Sequence, residues 1–149
     1  MQLEKEIQQE KFTSEYHKLT VNIFYTSGWL SVKHLQFFKS HGITPQQYNV
    51  LRILRGQYPK PASVNLLIER MLDKMSNASR LVDKLCDKKL TERKEAKDDK
   101  RRVDVIITDR GLELLKNLDG EVTKLEDSIK TLTEKEASQL NNLLDKMRG

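Results

Sequence analysis

The sequence predicts a mainly α chain carrying one small two-stranded β element, and three observations predict it. Apolar residues recur at three- and four-residue steps through most of the 149 positions. The period shortens to two only near residues 91–107, on either side of a charged loop. Glycine (6) and proline (3) are too scarce for an all-β or loop-rich chain. Composition narrows the setting: 37% of residues are hydrophobic, 33% are charged, and the net charge is +5. No stretch approaches the roughly 20 apolar residues of a membrane span. The start Met1-Gln2-Leu3-Glu4-Lys5-Glu6 is too polar for a signal peptide. The single cysteine, Cys86, excludes an intrachain disulfide and suits a reducing compartment, so a cytoplasmic location is expected, with no membrane partner.

Each element has its own signal. Phe12, Tyr16, Leu19 and Ile23 form one stripe of an amphipathic helix, which Phe24, Leu30, Leu35, Phe37 and Phe38 widen. Gly42 marks a helix stop, and Thr44-Pro45-Gln46-Gln47 marks the next start, with Thr44 as cap and Pro45 at the first helical position. Tyr48, Leu51 and Leu54 face inward on that helix, which Pro59 and Pro61 end. Residues 62–72 and 76–89 read as two short helices joined around Asp73-Lys74-Met75, with Ser76 as N-cap of the second. On that second helix Ala78, Leu81, Val82 and Leu85 take one side, and Asn77, Arg80, Lys84 and Lys88 take the other. Strands follow at 91–95 and 103–107, the latter with Val103, Val105 and Ile107 alternating inward, joined by the polar loop 96–102. Thr108 caps a helix whose Leu115, Leu118, Val122, Leu125, Ile129 and Leu132 form a heptad-like seam. Gly120 lies inside it, where a bend or close contact is expected. Thr133-Glu134-Lys135-Glu136 is a capping box that starts a last helix with Leu140, Leu143, Leu144 and Met147 inside.

Two short helices followed at once by a charged hairpin make a winged helix-turn-helix, flanked by N- and C-terminal helices. Charge supports that layout. Residues 1–60 are net +4, residues 61–110 net +3, and residues 111–149 net −2, with nine basic side chains between 84 and 102. A chain with one basic region suits a polyanionic partner. The terminal helices carry more apolar surface than so small a core can cover, which calls for a second copy of the chain.

The segment Ser76-Asn77-Ala78-Ser79-Arg80-Leu81-Val82-Asp83-Lys84-Leu85, with Lys88-Lys89-Leu90-Thr91-Glu92-Arg93, Asp99-Lys100-Arg101 and Val105-Ile106-Ile107-Thr108-Asp109-Arg110-Gly111, resembles the MarR family of bacterial transcriptional regulators. Thr44-Pro45-Gln46-Gln47-Tyr48-Asn49-Val50-Leu51 resembles that family's usual start. Lys89 departs from the pattern, since the family prefers glycine there, and the helix exit is expected to be tighter or differently shaped. Val64–Arg70 also departs from the usual first helix of the motif. The resemblance implies residues 44–110 as a DNA-binding lobe, with recognition helix 76–89 and wing 91–107, and residues 1–42 and 111–149 as dimerisation helices. Phe12, Tyr16, Leu19, Leu125, Ile129, Leu132, Leu140 and Leu144 are the expected dimer contacts.

The chemistry of the exposed face agrees with double-stranded DNA as partner. A helix in the major groove presents polar side chains to base edges. Asn77 suits adenine, Arg80 suits guanine or a phosphate, and Ser76 and Ser79 suit phosphates. Lys84 and Lys88 stand better placed for the backbone. By resemblance Arg101 enters the minor groove, oriented by Asp99 and flanked by Lys100 and Arg102. An isolated charge run such as 97–102 is more often a solvated loop; its position directly after the helix-turn-helix reverses that weighting.

The resemblance also implies a small-molecule pocket for an aromatic or anionic effector, with Tyr25, Trp29 and Phe38 as candidate lining. Aromatic side chains of this kind are otherwise core residues. His17, His34 and His41 lack paired ligand spacing, so no metal is expected. Cys86 reads as a structural thiol ahead of a redox sensor. Gly-rich phosphate loops, His-Glu-x-x-His, Cys-x-x-Cys and Gly-x-Ser-x-Gly are absent, so neither catalysis nor a cofactor is expected. The reading is a homodimeric, ligand-responsive repressor on a pseudo-palindromic operator. A constitutive regulator or activator and a helical protein-interaction module with a basic hairpin are its rivals.

Overall fold

The computed structural model describes residues 2–95 and 103–149. It is mostly helical: α1 (Leu3–Ile7), α2 (Glu15–Ser40), α3 (Pro45–Gln57), β1 (Ala62–Ser63), α4 (Val64–Arg70), α5 (Ala78–Asp87), β2 (Thr91–Glu95), β3 (Val103–Ile107), α6 (Asp109–Glu126) and α7 (Glu134–Arg148). The chain divides into two compact units, residues 1–45 and 46–149.

In the first unit, the Ser14 hydroxyl accepts from His17 N–H and starts α2. Gly42 stops it as expected. At φ +73° it lets Ile43 N–H reach Phe38 O and its own N–H reach Lys39 O, which satisfies two orphan carbonyls. The short α1 had no signal in the apolar periodicity. It is tied to α2 by Lys18 on Glu4 and by Tyr25 Oη donating to Glu6 Oε2 at 2.7 Å.

The second unit is built on a three-stranded antiparallel sheet of order β1-β3-β2, one strand more than the expected two. Ala62 and Ser63 pair with Val105 and Asp104 and then hand the chain straight to α4, whose N-cap is the Ser63 hydroxyl. Two residues carry no periodicity, so this strand was invisible to pattern reading. It also changes the expected alternation of β3. Asp104, in register with Ser63, is buried, whereas Val103 at the strand's start is exposed. Leu51, Leu54, Leu67, Val82, Leu85, Val105, Leu115 and Leu118 are almost wholly buried and make up the core.

The seam expected along 115–132 is not one helix. Leu115 and Leu118 are buried, but α6 ends at Glu126, a 3₁₀ turn covers Asp127–Ile129, and Ile129 and Leu132 are exposed. Thr133 explains the break. Its extended backbone (φ −66°, ψ 158°) serves the capping box with Glu136, which a continuous helix cannot pass through. The α7 side chains expected inside are not: no residue of α7 is buried. Gly120 has open space around it, so no close contact there explains it.

The expected odd exit at Lys89 is a left-handed residue. Lys89 sits at φ +59°, its N–H donates to Cys86 O, and Leu90 N–H donates to Leu85 O, which is the capping geometry glycine usually supplies. Lysine therefore carries a steric cost of about 1 kcal/mol. Directly after it, Thr108 locks the sheet to α6. Its N–H donates to Leu90 O, its hydroxyl donates to Lys89 O at 2.8 Å, and the same oxygen accepts from Gly111 N–H. A Cβ at residue 111 would overlap Leu90 O and stand 2.6 Å from Ile107 Cγ1. Farther along α6, Asp119 receives a bidentate pair from Arg55 of α3 at 2.8 and 2.9 Å.

Gly111→Ala is expected to destabilise the fold by about 1–3 kcal/mol through overpacking, and Lys89→Gly to stabilise it by about 0.5–1 kcal/mol. Urea midpoints of the purified variants check both signs. The Arg55 guanidinium holds the Asp119 carboxyl below its ordinary value. Its contribution is therefore complete above the unfolded value near 4 and disappears as pH falls through the lower folded value. Asp119→Asn should cost less than about 1 kcal/mol at neutral pH, because the pair is partly in water. Urea titrations between pH 6 and 3 should show a shallower acid loss for the variant than for the wild type.

Candidate nucleic-acid interface

The two faces of α5 are chemically opposite. Ala78, Val82 and Leu85 are buried, and each of the larger two gains roughly 1.5–3 kcal/mol from leaving water. Ser79, Arg80, Lys84 and Lys88 face solvent, as do Asp83 and Asp87. Arg80, Lys84 and Lys88 follow at four-residue spacing, so they form one basic lane along the exposed side.

The helix starts one residue later than expected. Asn77, not Ser76, is the N-cap, and its Oδ1 accepts from Arg80 N–H at 3.0 Å. Ser76 instead donates its hydroxyl to Asp73 Oδ2 at 2.8 Å. The reason is local: Asp73 Oδ1 also accepts from Met75 N–H, so a two-sided turn at 73–76 holds Ser76 and leaves the capping position to Asn77. These bonds hold the Asp73 carboxyl below the usual carboxylate range, the Ser76 hydroxyl foremost. With its oxygen already accepting from the backbone, Asn77 has its amide N–H groups to offer a base. Bidentate pairing with adenine would compete with the cap.

Sequence reasoning missed the contact that joins this helix to the wing. Arg93 of β2 donates to Asp83 Oδ1 at 2.5 Å, so the acidic group in the middle of the exposed face is paired within the protein. Nothing in the spacing of the motif around Asp83 says that Arg93 comes back to it across the Lys89 turn. Asp99, Lys100, Arg101 and Arg102 lie outside the described residues.

Cys86 is half-buried, with Sγ 3.3 Å from the hydroxyl of buried Thr91. Of the aromatic trio, Phe38 is buried against Phe37 and His34. Tyr25 is held by Glu6, and Trp29 lies under Lys33 Nζ at 4.5 Å. An open groove in the same unit is lined by Gln2, Glu4, Lys5, Gln8 and Glu10, and by none of the three. Among the described residues no His, Cys, Asp or Glu cluster could hold a metal, and no helix is long and apolar enough to cross a membrane.

Helix-turn-helix, three-stranded wing sheet and flanking helices together define a known architecture. Residues 41–102 match the sequence model of the MarR family. This segment is a MarR-family segment. Around it, the chain has the winged-helix fold of MarR transcription regulators. It is similar to a MarR transcription factor from Planctomyces limnophilus at 27% identity, covering 91% of this chain and 98% of that one, with a TM-score of 0.70. It shares its fold with S. aureus MepR in complex with DNA (24% identity, 92% and 97% covered, TM-score 0.77). It also shares it with Bordetella bronchiseptica BpsR, whose DNA binding is regulated by 6-hydroxynicotinic acid (20% identity, 86% and 99% covered, TM-score 0.70). No curated protein sequence matches the chain. The chain thus shares the DNA-binding winged-helix fold of solved MarR regulators, and α5 is the second helix of its helix-turn-helix.

Asn77 can be tested for its two roles separately. Asn77→Ala should lower stability by about 1 kcal/mol through loss of the cap. Asn77→Asp keeps an acceptor for Arg80 N–H, so its melting temperature should stay close to wild type. The added charge should still weaken duplex binding by about tenfold. Equal binding by Asn77→Asp and wild type would place this residue away from the DNA.

Proposed function

We propose that the chain is a sequence-specific, double-stranded DNA-binding repressor that acts as a homodimer on a pseudo-palindromic operator and is released by a small molecule. The observation that carries the reading is α5, anchored by Val82 and Leu85 on one side and presenting Ser79, Arg80, Lys84 and Lys88 on the other. Ser76 and Asn77 stand at its leading end, and the loop bearing Asp99, Lys100, Arg101 and Arg102 follows β2. In this reading Arg80 reads or clamps, Ser76 and Ser79 bind phosphates, and Arg101 enters the adjacent minor groove with Asp99 beside it.

Unburied apolar surface supports the homodimer. On α2, Tyr16 and Phe24 are exposed; on α7, so are Leu140, Leu143 and Met147. Monomeric proteins rarely leave such surface to water. A two-fold axis would set two copies of α5 in successive major grooves, roughly 34 Å apart. The terminal helices are the dimerisation elements, and residues 44–110 are the DNA-reading lobe. An effector that prefers the splayed dimer would shift the population away from the DNA-ready one. The ligand regulation of BpsR supports that step, and Tyr25 and Trp29 are the candidate contacts for an aromatic or anionic molecule. We place the protein in the cytoplasm, with its DNA.

One observation favours a constitutive regulator instead. Phe38 is already buried and Tyr25 already bonded to Glu6, so these aromatics are partly occupied by the protein itself. A thermal-shift screen of aromatic acids separates the two readings, since a true effector raises the melting temperature by mass action.

Selection from random duplex DNA followed by fluorescence anisotropy tests the main reading. Arg101→Ala should weaken binding by about tenfold or more and flatten its salt dependence. Arg80→Ala should relax preference at particular base positions. Unchanged isotherms across salt for Arg101→Ala would remove the wing from the interface, and an unchanged selected motif for Arg80→Ala would remove that residue from base reading.

A further inference from the structure

The turn between α4 and α5 presents two large apolar side chains to solvent: Leu72 is 87% exposed and Met75 is 94% exposed. Neither belongs to a flexible tip. Asn49 Oδ1 accepts from Leu72 N–H at 2.9 Å, and Lys74 Nζ donates to the carbonyls of Ile68 and Glu69. Asp73 accepts from Met75 N–H and the Ser76 hydroxyl, and Asn77 caps α5. Five side chains thus fix the backbone that carries Met75, while its neighbour Met71 is buried to anchor the turn. The backbone is held while the Leu72 and Met75 side chains stand in water just ahead of a helix cap, where a partner would gain by covering them.

The surroundings say what kind. Arg70, Lys74, Arg80 and Lys84 surround the turn in sequence. Of the nearby carboxylates, Asp83 is neutralised by Arg93, while Glu69 and Asp73 keep their charge and leave the four cations in excess. The local field is positive, which favours an anionic partner. The leading end of a recognition helix is the part that meets base edges, and there the major groove offers one apolar group, the C5-methyl of thymine.

We propose that Met75 is a specificity-determining residue that packs its thioether on a thymine methyl at the leading end of α5. This rests on the DNA-binding reading above and adds to it a contact that carries no charge or hydrogen bond. Methionine suits the task because its unbranched, polarizable side chain adapts to a small apolar target.

The test uses the full chain and a duplex selected from random DNA. Each thymine is replaced in turn by deoxyuridine, which removes only the methyl group. For the wild type, one position in each half-site should lose about three- to five-fold in affinity, the value of one buried methyl. Met75→Ala should bind the thymine duplex about three- to five-fold more weakly and be indifferent to deoxyuridine at that position, whereas Met75→Leu should restore the sensitivity. Because Met75 is exposed, all three proteins should melt at the same temperature. Equal responses of wild type and Met75→Ala at every thymine would overturn the contact while leaving the DNA-binding reading intact. Failure of the wild type to bind any duplex at low salt would overturn both, and would turn the apolar turn into a surface for a protein partner.

Discussion

The carbonyl of Leu90 accepts from Thr108 N–H and leaves no room for a Cβ at residue 111, so α6 can begin where it does only with glycine there. This junction determines how everything around it sits. The end of α5 reaches it through the left-handed Lys89, and both strands of the wing end on it at Thr91 and Ile107. Thr108 therefore couples the exit of α5 to the start of α6 with one side chain: its hydroxyl takes the Gly111 N–H and gives its own proton to Lys89 O. Dislodging it would free the exit of α5 and the root of the wing together.

Electrostatics on the reading face follow from the same geometry. Pairing of β2 with β3 carries Arg93 alongside α5, where it neutralises Asp83. In the proposed complex, an unpaired carboxylate there would face DNA phosphates from the middle of the helix, a like-charge contact that costs binding. At the helix start, Asp73 keeps its charge and spends its oxygens on the turn. The basic lane of Arg80, Lys84 and Lys88 is thus less diluted by acidic groups than composition alone suggests. The net charge of the chain, +5, says little about this.

The long amphipathic segments were legible because their signals repeat. The Gly42 stop, the Pro45 start and the Thr133 capping box were legible because each rests on one residue with one physical use. Helix α5 and the two strands of the hairpin are readable to within two residues. What stayed hidden was short or non-local. The strand Ala62–Ser63 has no period, and Arg93–Asp83 joins residues ten apart across a turn whose backbone only the structure reveals. The shift of the N-cap from Ser76 to Asn77 was equally hidden, since both residue types cap well and Asp73 decided between them. The heptad seam misled because spacing records which side chains share a face, not whether one helix survives long enough to carry them. Asp99, Lys100, Arg101 and Arg102 remain the part of the site that rests on sequence.

The central claim is that the exposed face of α5 lies in the major groove. The most direct measurement attaches an iron chelate to Ser79→Cys in a Cys86→Ser background and maps where it cleaves a bound, selected duplex. Cleavage confined to a few base pairs in each half-site, with the two centres about ten base pairs apart, is the result expected of paired reading helices. A protein that binds the same duplex but cleaves it nowhere, or evenly along its length, would show that another surface makes the contact.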